Sequence, residues 1–128
     1  MMHIDLATFL VNDYDEAIDF FVKKLRFILD VNQEMGEGKQ WVVVRPAAGK
    51  MGLLLAKASD NGQRAAVGNQ HGGRVGFFLN VQNFNEQYDH MADEGVNFME
   101  NIRHEPFGTV VVFEDLYGNL WDLIGPAK

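Results

Sequence analysis

Cysteine is absent from this chain, and that one absence excludes disulfide staples, thiolate nucleophiles and cysteine-ligated zinc together. Any metal must be held by His, Asp or Glu, and the composition suits a reducing compartment. Basic residues are scarce too: 11 Lys and Arg stand against 18 Asp and Glu, for a formal charge of −7. No stretch interleaves Lys or Arg with aromatics, so a nucleic-acid footprint is missing. No apolar run approaches the roughly 18 residues needed to span a bilayer, and Met1-Met2-His3-Ile4-Asp5 has neither the charged nor the apolar region of a signal peptide. These absences point to a soluble, cytoplasmic protein without nucleic-acid or membrane partners. Catalytic motifs are equally sparse, with no His-x-x-x-His spacing, no Ser-His-Asp arrangement and no phosphate-cradling glycine motif. What remains suffices for a core: 47% of the 128 residues are hydrophobic and 12% aromatic, enough for a single domain spanning 1–128.

What the chain does have is a repeat. Val11-Asn12-Asp13-Tyr14-Asp15-Glu16 returns as Val81-Gln82-Asn83-Phe84-Asn85-Glu86, and Gly38-Lys39-Gln40-Trp41-Val42-Val43 returns at the same interval as Gly108-Thr109-Val110-Val111-Val112-Phe113. A duplicated half-domain carries a pseudo-twofold axis, and a ligand site can be assembled from equivalent strands of the two halves.

Each half reads as βαβββ. Ile4 to Val11 is a strand, and Asp13 with Glu16 forms a capping-box pattern. The helix that follows to about Lys24 has Ala17, Ile18, Phe21, Val22 and Leu25 along one stripe. Short strands are expected at Phe27 to Val31, Trp41 to Arg45 and Leu53 to Ala56, with turns at Gly36-Glu37-Gly38 and Ala47-Ala48-Gly49. The second half repeats the order, with a strand at Val75 to Val81, caps at Asn83 and Glu86 and a helix stop at Gly95. Its remaining strands are expected at Val96 to Met99, Thr109 to Phe113 and Leu120 to Ile124. Module one thus covers 1–60 and module two 74–128, and the polar stretch over 61–73 reads as a linker, the alternative being a functional loop.

Two βαβββ modules with these helix starts, and the ending Phe113-Glu114-Asp115-Leu116-Tyr117-Gly118-Asn119-Leu120-Trp121-Asp122-Leu123, resemble the vicinal oxygen chelate superfamily. That group includes glyoxalase I, extradiol dioxygenases, fosfomycin-resistance enzymes and bleomycin-resistance proteins. The resemblance implies an α+β fold in which two curved sheets enclose a trough and the helices lie on the outer face. It also implies metal ligands on the first and last strand of each module. Carried over by position, these fall on Leu6 and Gly76 on the first strands, on Asp122 in the last strand of module two, and among Gly52, Leu53 and Leu54 in module one. Only Asp122 keeps a ligand. His3 and His71 are offset from the first-strand positions by odd intervals, which turn a side chain to the other face. His90 lies in mid-helix and His104 in a loop. The expectation is therefore no metal and no other cofactor, with a divalent metal as the alternative.

Strand alternation places Ile4, Leu6, Thr8 and Leu10, then Gly76, Phe78 and Asn80, then Leu120, Asp122 and Ile124 on the trough face. The pocket expected from this is Leu6, Thr8, Gly76, Phe78, Asn80, Leu120 and Asp122, apolar with a few polar groups. Gly76 leaves room there, unless a side chain or a partner subunit fills it. Asp122, set among apolar residues, is either a general base or anchor for a cationic ligand, or the structural partner of Arg45 or Arg74. Trp41 and Trp121 read as packing residues, and Glu114, Asp115 and Tyr117 as turn caps. Three functions compete: binding of a small, partly apolar molecule without metal, as in bleomycin-resistance proteins; a metal-dependent lyase or dioxygenase using Asp122 with His3, His71 or His104; and a non-catalytic regulatory module. A homodimer is expected in each case.

Overall fold

The computed structural model describes residues 1–128, in two compact units, Met1–Val67 and Gly68–Lys128. The first opens with β1 (Leu6–Val11) and the helix α1 (Tyr14–Asp19), whose start is fixed by the Asp13 carboxylate accepting from Glu16 N at 2.9 Å. The helix widens into a π turn over Phe20–Lys24. This places Phe20 and Phe21 on the sheet, where Phe21 meets Phe9 edge-on at 5.1 Å and Phe27 at 5.3 Å. Each such ring, buried fully, contributes roughly 1.5–3 kcal/mol. The strands β2 (Ile28–Gly36), β3 (Lys39–Arg45) and β4 (Gly52–Lys57) complete a four-stranded sheet ordered β1-β4-β3-β2, with β1 and β4 parallel. Phe9, Val11, Val42, Val44 and Leu55 are fully buried on the helix side.

Two features up to residue 66 depart from the expected elements. β2 runs to Gly36 rather than stopping at Val31, because its outer half is polar and exposed on both faces and so carries no apolar alternation. The stretch over 61–73 contains a helix, α2 (Asn61–Ala66), capped by Asp60 accepting from Gln63 N at 2.7 Å.

The second unit has β5 (Val75–Asn80) and α3 (Phe84–Asp93), capped by Asn83 accepting from Glu86 N at 3.2 Å. Gly95 ends the helix with φ +81, a conformation glycine adopts without steric cost. Then come β6 (Asn97–Phe98), β7 (Arg103–Glu105), β8 (Gly108–Glu114) and β9 (Leu120–Gly125). The sheet is ordered β5-β9-β8-β6, with β7 also paired to β8. The strand expected over Val96 to Met99 is in fact the first half of an interrupted one, β6 and β7 lying along the same neighbour. Under α3 the rings of Phe77, Trp121 and Phe113 form a stack, 4.5 Å and 5.6 Å between successive centroids. The architecture is the tandem α+β arrangement, four strands in one sheet and five in the other. No helix is long and apolar enough to cross a membrane.

Candidate functional site

β9 alternates strictly. Trp121, Leu123 and Gly125 are buried under α3, which turns Leu120, Asp122 and Ile124 to the opposite face. Across the sheet Asp122 lies between Phe78 of β5 and Val112 of β8, and Ile124 between Asn80 and Val110. Of the residues expected in the pocket, Phe78, Asn80, Leu120 and Asp122 therefore share one face of the second unit. Phe78 is 62% exposed. Leu6 and Thr8 share a face of the first sheet, opposite Gly52 and Leu54.

Gly76 behaves differently. A bulge between Val75 and Phe77 takes it out of alternation, and a Cβ there would collide with the His71 imidazole. That ring packs edge-on against Phe77 at 4.8 Å. The room left by the glycine is occupied by a side chain from the preceding turn.

Asp122 is the chemically distinctive group on this face. Its Oδ1 is closed off from solvent and has no hydrogen-bond partner, an uncommon state for a buried polar atom. Burial pushes its carboxyl above the ordinary range, Arg103 opposes that shift and Glu100 adds to it. Neither arginine considered from the sequence is its partner. Arg45 belongs to Asp5 at 3.0 Å and Asp30 at 2.9 Å in the first unit, and the arginine whose charge acts on Asp122 is Arg103. Yet Arg103 Nε donates to Glu100 Oε2 at 2.8 Å and its Nη1 to Glu105 Oε1 at 3.0 Å. Glu100 also accepts from Val112 N at 3.1 Å, on the strand beside Asp122.

Asp115, by contrast, is saturated. Buried to 4% exposure, it accepts from Trp121 Nε1 at 2.9 Å, Tyr117 N at 2.9 Å and Asn119 N at 3.1 Å. Burial raises its carboxyl, and these donors oppose that shift. The Asp-x-x-Gly-Asn-x-Trp ending is thus a structural lock for the last turn.

The metal positions do not supply a ligand set. Pairing places Leu54 opposite Thr8 as Asp122 lies opposite Phe78, so the four positions carry Leu6, Leu54, Gly76 and Asp122. One carboxylate does not hold a divalent ion by itself, and no group of three or more His, Asp or Glu is placed to bind one. His104 approaches Thr109 on β8, which alternates with Val110 and Val112 and so faces away from Asp122.

With the geometry in place, comparison gives the family. The Glyoxalase/Bleomycin resistance protein/Dioxygenase superfamily profile matches residues 3–123, and the chain belongs to that superfamily. It is 48% identical over 126 residues to an uncharacterized protein of Shewanella frigidimarina, covering 97% of this chain and 91% of that one. Among solved structures it resembles UcmS2, with a TM-score of 0.82 and 26% identity over 97% of this chain and 98% of the other. It also resembles TnmS3, an antibiotic binding protein from Streptomyces sp. CB03234, with a TM-score of 0.79 and 23% identity over 99% of this chain and 98% of the other.

Proposed function

We propose that this protein binds a small, partly apolar, cationic molecule on the sheet face that bears Asp122, without the superfamily's metal centre. The observation that carries the reading is the buried, unpartnered Asp122 Oδ1 beside the exposed ring of Phe78. A half-buried carboxylate without a hydrogen-bond partner, at the edge of an apolar surface, suits a ligand that brings its own N–H donor and covers Phe78 with a hydrophobic body. The antibiotic-binding relative supports the class of function, since the same fold serves a small-molecule binder there. The chain's net charge of −7 works in the same direction, by attracting cations over distance.

The test is calorimetry with a panel of small aromatic cations against the wild type and Asp122→Asn. A charge-assisted hydrogen bond contributes about 1.5–3 kcal/mol, so the substitution is expected to weaken cation binding by roughly tenfold or more. Unchanged affinity for every cation that binds would place the ligand elsewhere.

A further inference from the structure

Asp122 lacks a partner although a guanidinium acts on it electrostatically from the same face of the sheet. Arg103 pairs with Val110 on β8, and the next residue of that face, Val112, pairs with Asp122 on β9. In the ordinary course a side chain as long as arginine would turn its fork to the open carboxylate. The guanidinium is engaged instead at the break between β6 and β7. There the Glu100 carboxylate turns inward and takes the Val112 amide that an unbroken strand would have bonded through its backbone. Anchored in that way, Glu100 holds Arg103 Nε, and Glu105 holds Nη1 from the other side.

We infer that Glu100 and Glu105 form a clamp that keeps Arg103 off Asp122, and that the clamp decides the charge of the ligand this face accepts. It rests on the proposed role of Asp122 in binding. With Arg103 held, its charge is more than offset by the two glutamates and Asp122 stands as a further anion, so the face takes a protonated amine or amidine and repels a carboxylate. With Arg103 released, Asp122 acquires an internal cation and the preference is lost. Glu100 and Glu105 are positioning residues: they act on the ligand through Arg103.

The experiment uses three ligands of one shape and different charge, benzamidine, benzamide and benzoate, titrated by calorimetry. In Glu100→Gln/Glu105→Gln, the side-chain amide that replaces the Glu100 carboxylate keeps an oxygen acceptor for the Val112 N–H, so the strand is retained while the clamp is not. Benzamidine affinity is expected to fall about tenfold relative to wild type, as for loss of one charge-assisted bond, and the margin over benzoate to narrow. In an Arg103→Gln background the same two substitutions are expected to change benzamidine affinity by less than about threefold, since coupled residues are non-additive. Equal losses in both backgrounds would mean that the glutamates act on the ligand directly, and would overturn the clamp.

A ligand-free readout separates this from the binding reading. The Arg103 Nε–H resonance is expected to shift and broaden when Asp122→Asn is added to the doubly substituted protein, and to stay in place when it is added to the wild type. No change in the first case means that Arg103 never reached Asp122, and the clamp fails whatever the protein binds. The expected NMR response with no benzamidine binding to wild type upholds the clamp and sinks the binding function.

Discussion

The two modules make the same junction, from third strand to last, with opposite chemistry. In the first, Arg45 at the end of β3 reaches over the surface to Asp5, Asp30 and the Lys50 carbonyl. In the second, Asp115 at the end of β8 turns inward and gathers the amides of Tyr117 and Asn119 with the indole of Trp121. The inner faces diverge likewise, for Leu54 stands where its counterpart is Asp122. A duplicated fold keeps its topology while one copy encloses a carboxylate at this junction and the other leaves its ion pairs near the surface. The difference predicts where each module is vulnerable.

The largest expected effect is at the buried junction. Asp115→Ala leaves several enclosed donors without an acceptor, each costing roughly 1–3 kcal/mol, so we expect the second unit to lose at least about 3 kcal/mol in urea unfolding. Trp121 fluorescence would report the change. Arg45→Met removes ion pairs that water already screens, and the expected loss is smaller and shrinks further in high salt. Equal losses would erase the contrast between the two junctions.

The first strands come next. Leu6 carries its own side chain where the second module has Gly76, whose space is taken by His71. Gly76→Ala forces the imidazole aside, and overpacking of this kind costs about 1–3 kcal/mol. Adding His71→Ala is expected to recover most of that loss in thermal unfolding. A loss that persists in the double variant would place the constraint in the bulged backbone of β5 rather than in the histidine.

These contrasts also mark what the sequence could and could not disclose. The repeat, both helix caps and the inward placement of Phe9, Val11 and Leu79 follow from local spacing, and local spacing is what the fold obeys there. Helix α2 carries the same cap signature at Asp60 and Gln63, but with no buried residue it lacks the apolar stripe that distinguishes a helix from a polar crossing. The bulge at Gly76 takes that residue out of an alternation that holds from Phe77 to Asn80, and nothing in the local pattern marks it. The clamp on Arg103 was not legible at all. It depends on β8 bringing Val112 to Glu100, a pairing across an interrupted strand that no motif encodes.

The smallest effect is the one that most sharpens the contrast between Asp122 and Leu54. Because burial raises the Asp122 carboxyl above its ordinary value of 3.8, the native state binds this proton more tightly than the unfolded chain does. Below the ordinary value both states are protonated and the group is neutral to stability. As pH rises through the window between the ordinary and the raised value, the native state must give up a proton it prefers to keep, and stability falls. The penalty is complete above the raised value. Asp122→Asn cannot titrate, so it is expected to be slightly more stable than wild type at neutral pH, the margin being small because solvent screens the half-buried group. The difference should close on acidification. Leu54→Asn, at the equivalent position of the first module, is expected to destabilise at every pH, since it sets an amide at a half-buried site in place of a hydrocarbon. Opposite signs for the two substitutions in parallel urea titrations would show that the duplicated faces have been specialised, one for packing and one for an open acceptor. A stabilising Leu54→Asn, or an Asp122→Asn that weakens the fold at neutral pH, would remove that distinction.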